Sequence, residues 1–288
     1  MRVPQFIFVA VGFASFLGAC STIPATITSP YEGYTALRPG IAYRQIVTPG
    51  PNPRVTQVIK LDLSSSKLDL RLTRANVSGG KEFQSLTTTS FTRQSGAIVG
   101  VNAGFFGPVV DAENVAMDAA GFVVADGVVA SPALVPSQES AVVKAVVCFA
   151  LTRVIIEDVQ TCPSDYREGL AAGPRLLREG VVAADPANTT RHPRTALGVS
   201  AQGDTVWLVV TDGRQAGYSE GATLGEMADL LKSLGAENAI NLDGGGSSAL
   251  VFNDSQTGLR TLNRPIQGGV PGKERPVATH IGVFVVGD

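Results

Sequence analysis

The stretch Ala239–Leu250, A-I-N-L-D-G-G-G-S-S-A-L, constrains this chain more than any other. An apolar run (Ala239, Ile240, Leu242) leads into Asp243, then three consecutive glycines, then two serines. Glycine loses more conformational freedom on folding than any other residue. Three in a row therefore stand where the backbone must take positive φ or approach something closely. Successive N–H groups in such a turn can form an anion-binding nest. A carboxylate beside a nest suits a reaction centre that handles a phosphate or a polarised oxygen; the plainer alternative is a tight turn capped by Asp243.

The residues upstream of this turn have a regular pattern. Thr205–Val210 reads as an apolar strand ending at Asp212-Gly213-Arg214. Thr223 and Glu226 have capping-box spacing, Leu224, Met227, Leu230, Leu231 and Leu234 follow at helical intervals, and Gly235 stands where a C-terminal cap belongs. The strand Ala239–Leu242 comes next. Strand, helix and strand in that order predict a right-handed βαβ unit with parallel strands. Asp212 and Asp243 would then emerge at strand carboxyl ends on one edge of the sheet, where ligands of open α/β sheets gather.

The first half alternates with period two in short runs: Ile41–Val47, Arg54–Leu63 and Leu68–Leu72. Lys81–Gln94 is ambiguous between loop and helix, and Gly96–Val101 reads as a compact strand. That strand ends in Asn102-Ala103-Gly104-Phe105-Phe106, a pocket corner or a hydrophobic turn. Phe122–Val129, Ala141–Ile156 and Thr279–Val286 read as further strands. The expected fold class is α+β (mixed α/β): a single domain over 41–288, with a mixed sheet and at least one βαβ unit. At that size it can bury a large core without metals.

The N-terminus carries an address. Behind Arg2, Phe6–Leu17 is apolar and shorter than the roughly 20 residues of a membrane span. It ends in Leu17-Gly18-Ala19-Cys20, which resembles the bacterial lipobox. Residues 1–19 are thus read as a signal peptide. Cys20 is read as the lipidated residue (palmitate-type acylation), and 20–40, with Pro24, Pro30 and Pro39, as a tether. The expected location is exported, anchored to the bacterial envelope, with membrane contact through the lipid alone. In that oxidising setting Cys148 and Cys162 are expected to be bridged. With net charge −2 and 17% charged residues, neither sign dominates, so no nucleic-acid partner is expected.

Two further elements, Gly173-Pro174-Arg175-Leu176-Leu177 and His192-Pro193-Arg194-Thr195-Ala196-Leu197-Gly198, complete a set. N-A-G-F-F, G-P-R-L-L, R-T-A-L-G-V, D-G-R with downstream G-A-T-L-G-E-M-A, and N-L-D-G-G-G-S-S occur in one order. Together they resemble the phosphodiester glycosidase family over roughly Tyr43 to Val286. Ala103 stands where many relatives have Gly or Ser. The resemblance implies an enzyme that cleaves between a sugar anomeric carbon and a phosphate oxygen, so the expected partner is a sugar-1-phosphodiester or phosphate-linked glycan.

Residue types in these elements suit that chemistry. Asp243 is the expected catalytic carboxylate, with Asp212 as second carboxylate or orienter. Arg194 is the expected phosphate clamp, because guanidinium offers bidentate contacts. Arg214 assists it or pairs with Asp212. Gly244, Gly245 and Gly246 (through their N–H groups), the Ser247 hydroxyl, Thr195, Asn102 and Asn241 are the other expected substrate contacts. His192 and His280 are expected to be structural, His192 being the better candidate for the site. No cofactor and no metal are expected, since no dense carboxylate cluster is present. Two alternatives stand beside this reading. One is a serine hydrolase using Ser247, since Gly245–Ala249 falls one residue short of a nucleophile elbow. The other is a non-catalytic glycan-binding envelope lipoprotein.

Overall fold

The computed structural model describes residues 1, 33–64, 67–76, 80–134, 143 and 145–286. Residues 2–19 of the stretch read as a signal peptide, and Cys20, lie outside the described residues. The chain divides into residues 1–32 and a compact unit that begins at Gly33. Thr35–Arg38, within the stretch read as tether, is an edge strand of that unit.

Of the described residues 46% are strand and 9% helix, and the strands pair antiparallel throughout the sheets. The expected α+β domain with a mixed sheet and a βαβ unit is therefore corrected to a mostly β fold. The largest sheet runs Thr35–Arg38, Ile41–Thr48, Arg54–Asp62, Thr205–Thr211, Arg194–Val199, Asn238–Asn241, Arg175–Arg178, Val181–Val182. A five-stranded sheet runs Gly258–Thr261, Leu250–Asp254, Val99–Asn102, His280–Val285, Leu68–Leu72. Another five-stranded sheet is built from Val128–Ser131, Val123–Ala125, Glu168–Ala172, Ala145–Ala150 and Arg153–Glu157.

The βαβ expectation failed for an identifiable reason. Arg194–Val199 pairs antiparallel with both Thr205–Thr211 and Asn238–Asn241, and so lies between them. Those two strands do run the same way, but they are roughly two strand spacings apart, near 9–10 Å. Spacing along the chain carries their direction and not their adjacency. Their carboxyl ends still share one edge of the sheet, which brings Asp212 and Asp243 to that edge.

Helix α2 (Leu224–Leu234) spans the gap. Its ends follow the sequence: Thr223 accepts from Glu226 N–H, Glu226 accepts from Thr223 N–H, and Gly235 closes the C-terminus. Leu224, Met227, Ala228 and Leu231 bury against Val58, Leu177, Trp207, Val209 and Ala239 on one face of the large sheet. Each buried Leu or Met contributes about 1.5–3 kcal/mol. The alternate residues Val206, Leu208 and Val210 face the opposite way, into the main core shared with the other sheets. Helix α1 (Thr88–Ser95) resolves the ambiguous Lys81–Gln94 stretch, capped by Thr87. Its Phe91 ring stacks on buried His280, centroids 4.5 Å apart. Cys148 and Cys162 are bonded, as expected, with their Cα atoms 5.8 Å apart.

Candidate active site

The edge where the large sheet meets the Asn102 end of its neighbour holds a cleft of about 510 Å³. Several separate segments feed it. Asp243 and Gly244–Gly246 follow the Asn238–Asn241 strand. Arg194 opens the next strand, with His192 just before it. Arg214 lies on the loop after Thr205–Thr211, and Arg275 on the loop before His280–Val285. Phe105, Pro174 and Leu224 supply apolar wall.

Asp243 is half-buried among these groups. Its backbone N–H donates to Ala103 O at 2.9 Å, and its Oδ1 accepts from Gly244 N–H at 2.9 Å. Burial pushes its pKa up to about 6, against the opposing pull of the Ser247 hydroxyl, the Arg275 charge and the Gly244 N–H. The three arginines around it have neutral partners. Arg194 donates to Ala222 O (3.1 Å) and Thr190 O (3.0 Å). Arg214 donates to His192 Nδ1 (3.3 Å), and Arg275 to Gln267 Oε1 (2.8 Å) and Ser247 Oγ (3.4 Å). Among the described residues no ion pair involves any of the three. Burial, and then the nearby Arg214, lowers the Arg194 pKa. Burial with Arg194 and Arg214 also lowers that of His192, keeping the imidazole neutral near pH 7. Arg214 sits at φ 58°, a conformation that side-chain-bearing residues rarely adopt and that clusters at functional sites.

The glycines serve close packing more than a nest. Gly244 N–H is taken by Asp243, and Gly245 N–H by Pro193 O at 2.8 Å. Gly245 has φ 65°. A Cβ on Gly246 would lie 2.4 Å from Gln267 Oε1 and 2.6 Å from Arg275 Nη2, so glycine there makes room for the guanidinium.

Other expected contacts divide by depth. Asn241 lines the cleft; its Nδ2 donates to Gly173 O (3.1 Å) and Leu242 O (2.7 Å), while its buried Oδ1 has no partner among the described residues. Asn102 and Thr195 are fully enclosed beneath the motif. Asn102 Nδ2 donates to Asp243 O at 2.6 Å, and its Oδ1 accepts from Thr195 Oγ1 at 2.8 Å and Ala249 N–H at 3.2 Å. They hold the turn from below. Asp212 is also enclosed, 1% exposed, and does not line the cleft. Its carboxylate accepts from Asn263 Nδ2 (3.0 Å), Arg264 N–H (2.9 Å) and Tyr218 Oη (3.0 Å), tying the Arg214 loop to residues 263–264. Burial likewise pushes its pKa up to about 6.

Ser247 is 1% exposed, and neither histidine bonds to it. His192 faces Arg214, and His280 is held between Thr73 Oγ1 and Leu86 O. Neither histidine is placed to serve Ser247 as a base, and the Ser247 hydroxyl instead bonds the Asp243 carboxylate. Arg275 escaped the sequence reading: Gly272-Lys273-Glu274-Arg275-Pro276 has the look of a solvated charged loop. Asp185 and Asn188, on the cleft wall, also carried no pattern.

Comparisons with known proteins agree with this fold. Several solved structures share the fold, among them three from zebrafish, Burkholderia pseudomallei and Synechocystis. The catalytic domain of zebrafish N-acetylglucosamine-1-phosphodiester α-N-acetylglucosaminidase, auto-inhibited by its pro-peptide, matches with TM-score 0.59 and 16% identity, over 86% of this chain and 85% of that one. A Burkholderia pseudomallei protein described as exported gives 0.57 and 18%, over 82% and 75%. A hypothetical protein from Synechocystis gives 0.52 and 18%, over 86% of this chain; the chain spans 62% of its length. No curated protein matches significantly. The family model for phosphodiester glycosidase covers residues 95–284, which hold Asp243 and all three cleft arginines. The chain belongs to the phosphodiester glycosidase family.

Proposed function

We propose that the protein hydrolyses sugar-1-phosphodiesters, breaking the bond between the anomeric carbon and the phosphate oxygen to release free sugar and a phosphomonoester. The observation that carries this reading is the Asp243 carboxylate at the centre of a cleft with three arginines whose partners are neutral. Such guanidiniums hold a phosphodiester in charge-assisted, bidentate contacts. As the C–O bond lengthens, negative charge grows on the phosphate oxygen beside them and is stabilised in place. A phosphomonoester has its second ionisation near pH 6. It leaves without the strong general acid that ordinary glycosidases need. Water supplies hydroxyl to the anomeric carbon and a proton to the departing phosphate. Asp243, with a pKa of about 6, is mostly ionised at pH 7, and its charge stabilises the oxocarbenium-like transition state or activates the water.

The substrate belongs to envelope or extracellular glycans, because the N-terminus reads as a lipoprotein signal ending at Cys20. A Cys20→Ser variant should leave the membrane fraction; unchanged partitioning would remove the anchor. The function is tested by offering the purified protein a panel of sugar-1-phosphodiesters and following reducing sugar and phosphomonoester together. Equimolar release of both from at least one member is the expected result. Binding without release would favour a glycan-binding lipoprotein, and labelling of Ser247 by a fluorophosphonate would favour a serine hydrolase.

A further inference from the structure

We infer that Glu274 is a positioning residue that seats the Arg275 guanidinium in the cleft by tying its loop to the first turn of α1. The inference rests on Arg275 being a phosphate contact. Arg275 lies on an irregular segment between Val270–Pro271 and His280–Val285, and a long side chain on a free loop would have to be ordered at each binding event. The neighbouring residue prevents this. Glu274 Oε2 accepts from Thr89 N–H at 3.0 Å, and its Oε1 accepts from the Thr89 hydroxyl. Thr89 is in the first turn of α1, where N–H groups have no intrahelical partner and negative charge is favoured.

Beyond Arg275, Val277 and Leu86 exchange both backbone hydrogen bonds, at 2.8 and 3.1 Å. The arginine is therefore held on both sides, by Leu86 just before the Thr87 cap and by the first turn of α1. That element is itself fixed: Phe91 stacks on His280, and the α1 residue Thr92 packs where a Cβ on Gly100 would stand. A second carboxylate provides an internal control. Glu113 Oε1 accepts from Thr87 N–H (2.8 Å) and Thr87 Oγ1 (2.6 Å) at the same helix end, but it belongs to another loop.

The test titrates the full-length chain with inorganic phosphate by calorimetry and records thermal melting alongside. Arg275→Ala should weaken phosphate about tenfold, as loss of a charge-assisted contact does. Glu274→Ala should weaken it by about three- to tenfold, while Glu274→Gln, which keeps an acceptor for Thr89, should recover most of the affinity. Thr89→Val, which removes the hydroxyl from the other side, should show a smaller loss and decides the matter if Glu274→Ala does not fold. Glu113→Ala should leave phosphate affinity unchanged. Charge alone predicts the opposite sign for Glu274→Ala, since removing a carboxylate near a cationic site strengthens anion binding. Phosphate binding by Glu274→Ala as tight as wild type, with Arg275→Ala weakened, would overturn the inference alone. Equal weakening by Glu113→Ala would also overturn it, by reducing the effect to helix stability. Wild-type affinity in Arg275→Ala would instead remove Arg275 from the site.

Discussion

Arg275 lies against Gly246 so closely that a Cβ on the glycine would fall 2.6 Å from Arg275 Nη2. The third glycine of the D-G-G-G run is thus the seat of a guanidinium delivered from a loop nearly thirty residues further on. This contact couples the motif that dominates the sequence to the arginine that its sequence context concealed.

Replacing Gly246 with Ala should therefore act on binding and spare the fold. The atoms in the way are the ends of two flexible side chains, Gln267 and Arg275, which can move at little cost. Moving them would displace the phosphate contact proposed for Arg275. We expect KM for a phosphodiester to rise by about tenfold, with Tm within a few degrees of wild type. Steady-state kinetics and a melting curve check both halves.

The pKa of Asp243 sets a pH dependence with a definite sign. Burial raises it from 3.8 to about 6, so between those values the folded protein binds more protons than the unfolded chain. The stability it contributes is fully present below about pH 3.8 and is lost as pH rises through about 6. Asp243→Asn, whose Oδ1 still accepts from Gly244 N–H, should gain stability relative to wild type on going from pH 4.5 to 7. The gain is at most about 3 kcal/mol, from roughly two pKa units. Activity follows the same titration in reverse, with an acid limb near pH 6 as the carboxylate ionises. Melting curves at the two pH values and a pH profile of kcat/KM measure these.

Asp212 should behave as a support and not as a reacting group. Asp212→Ala leaves the donors of Asn263, Arg264 and Tyr218 without their acceptor in an enclosed position, a cost of about 2–4 kcal/mol. Asp212→Asn retains one oxygen for Asn263 and Arg264, and its amide can donate to Tyr218 Oη. That variant should keep turnover within about tenfold of wild type. A loss as large as that of Asp243→Asn would show Asp212 to be part of the chemistry.

How far the sequence could lead differs from element to element. Helix α2 was legible because Thr223, Glu226, the Leu/Met stripe and Gly235 are local signals that its structure uses directly. The D-G-G-G turn and the common sheet edge of Asp212 and Asp243 were legible for a similar reason: chain direction follows from strand, helix and strand. Sheet neighbours were not, because Arg194–Val199 enters from upstream and no spacing between Thr205 and Asn241 reports it. The two aspartates looked alike in sequence. What distinguishes them is Asn263, Arg264 and Tyr218 closing over Asp212, and that enclosure comes from distant segments. Asn102 and Thr195 were expected to contact substrate, yet they lie under the turn and not at its surface, a matter of depth that residue type does not encode.

The central claim is that Asp243 carries the chemistry while the arginines carry the phosphate, and one comparison tests it most directly. Wild type and Asp243→Asn are assayed for turnover of a sugar-1-phosphodiester that the protein cleaves, and both are titrated with inorganic phosphate. The account predicts a loss of about three or more orders of magnitude in kcat, with phosphate affinity equal to or tighter than wild type, since one negative charge leaves the cleft. Turnover by Asp243→Asn at the wild-type rate would contradict it.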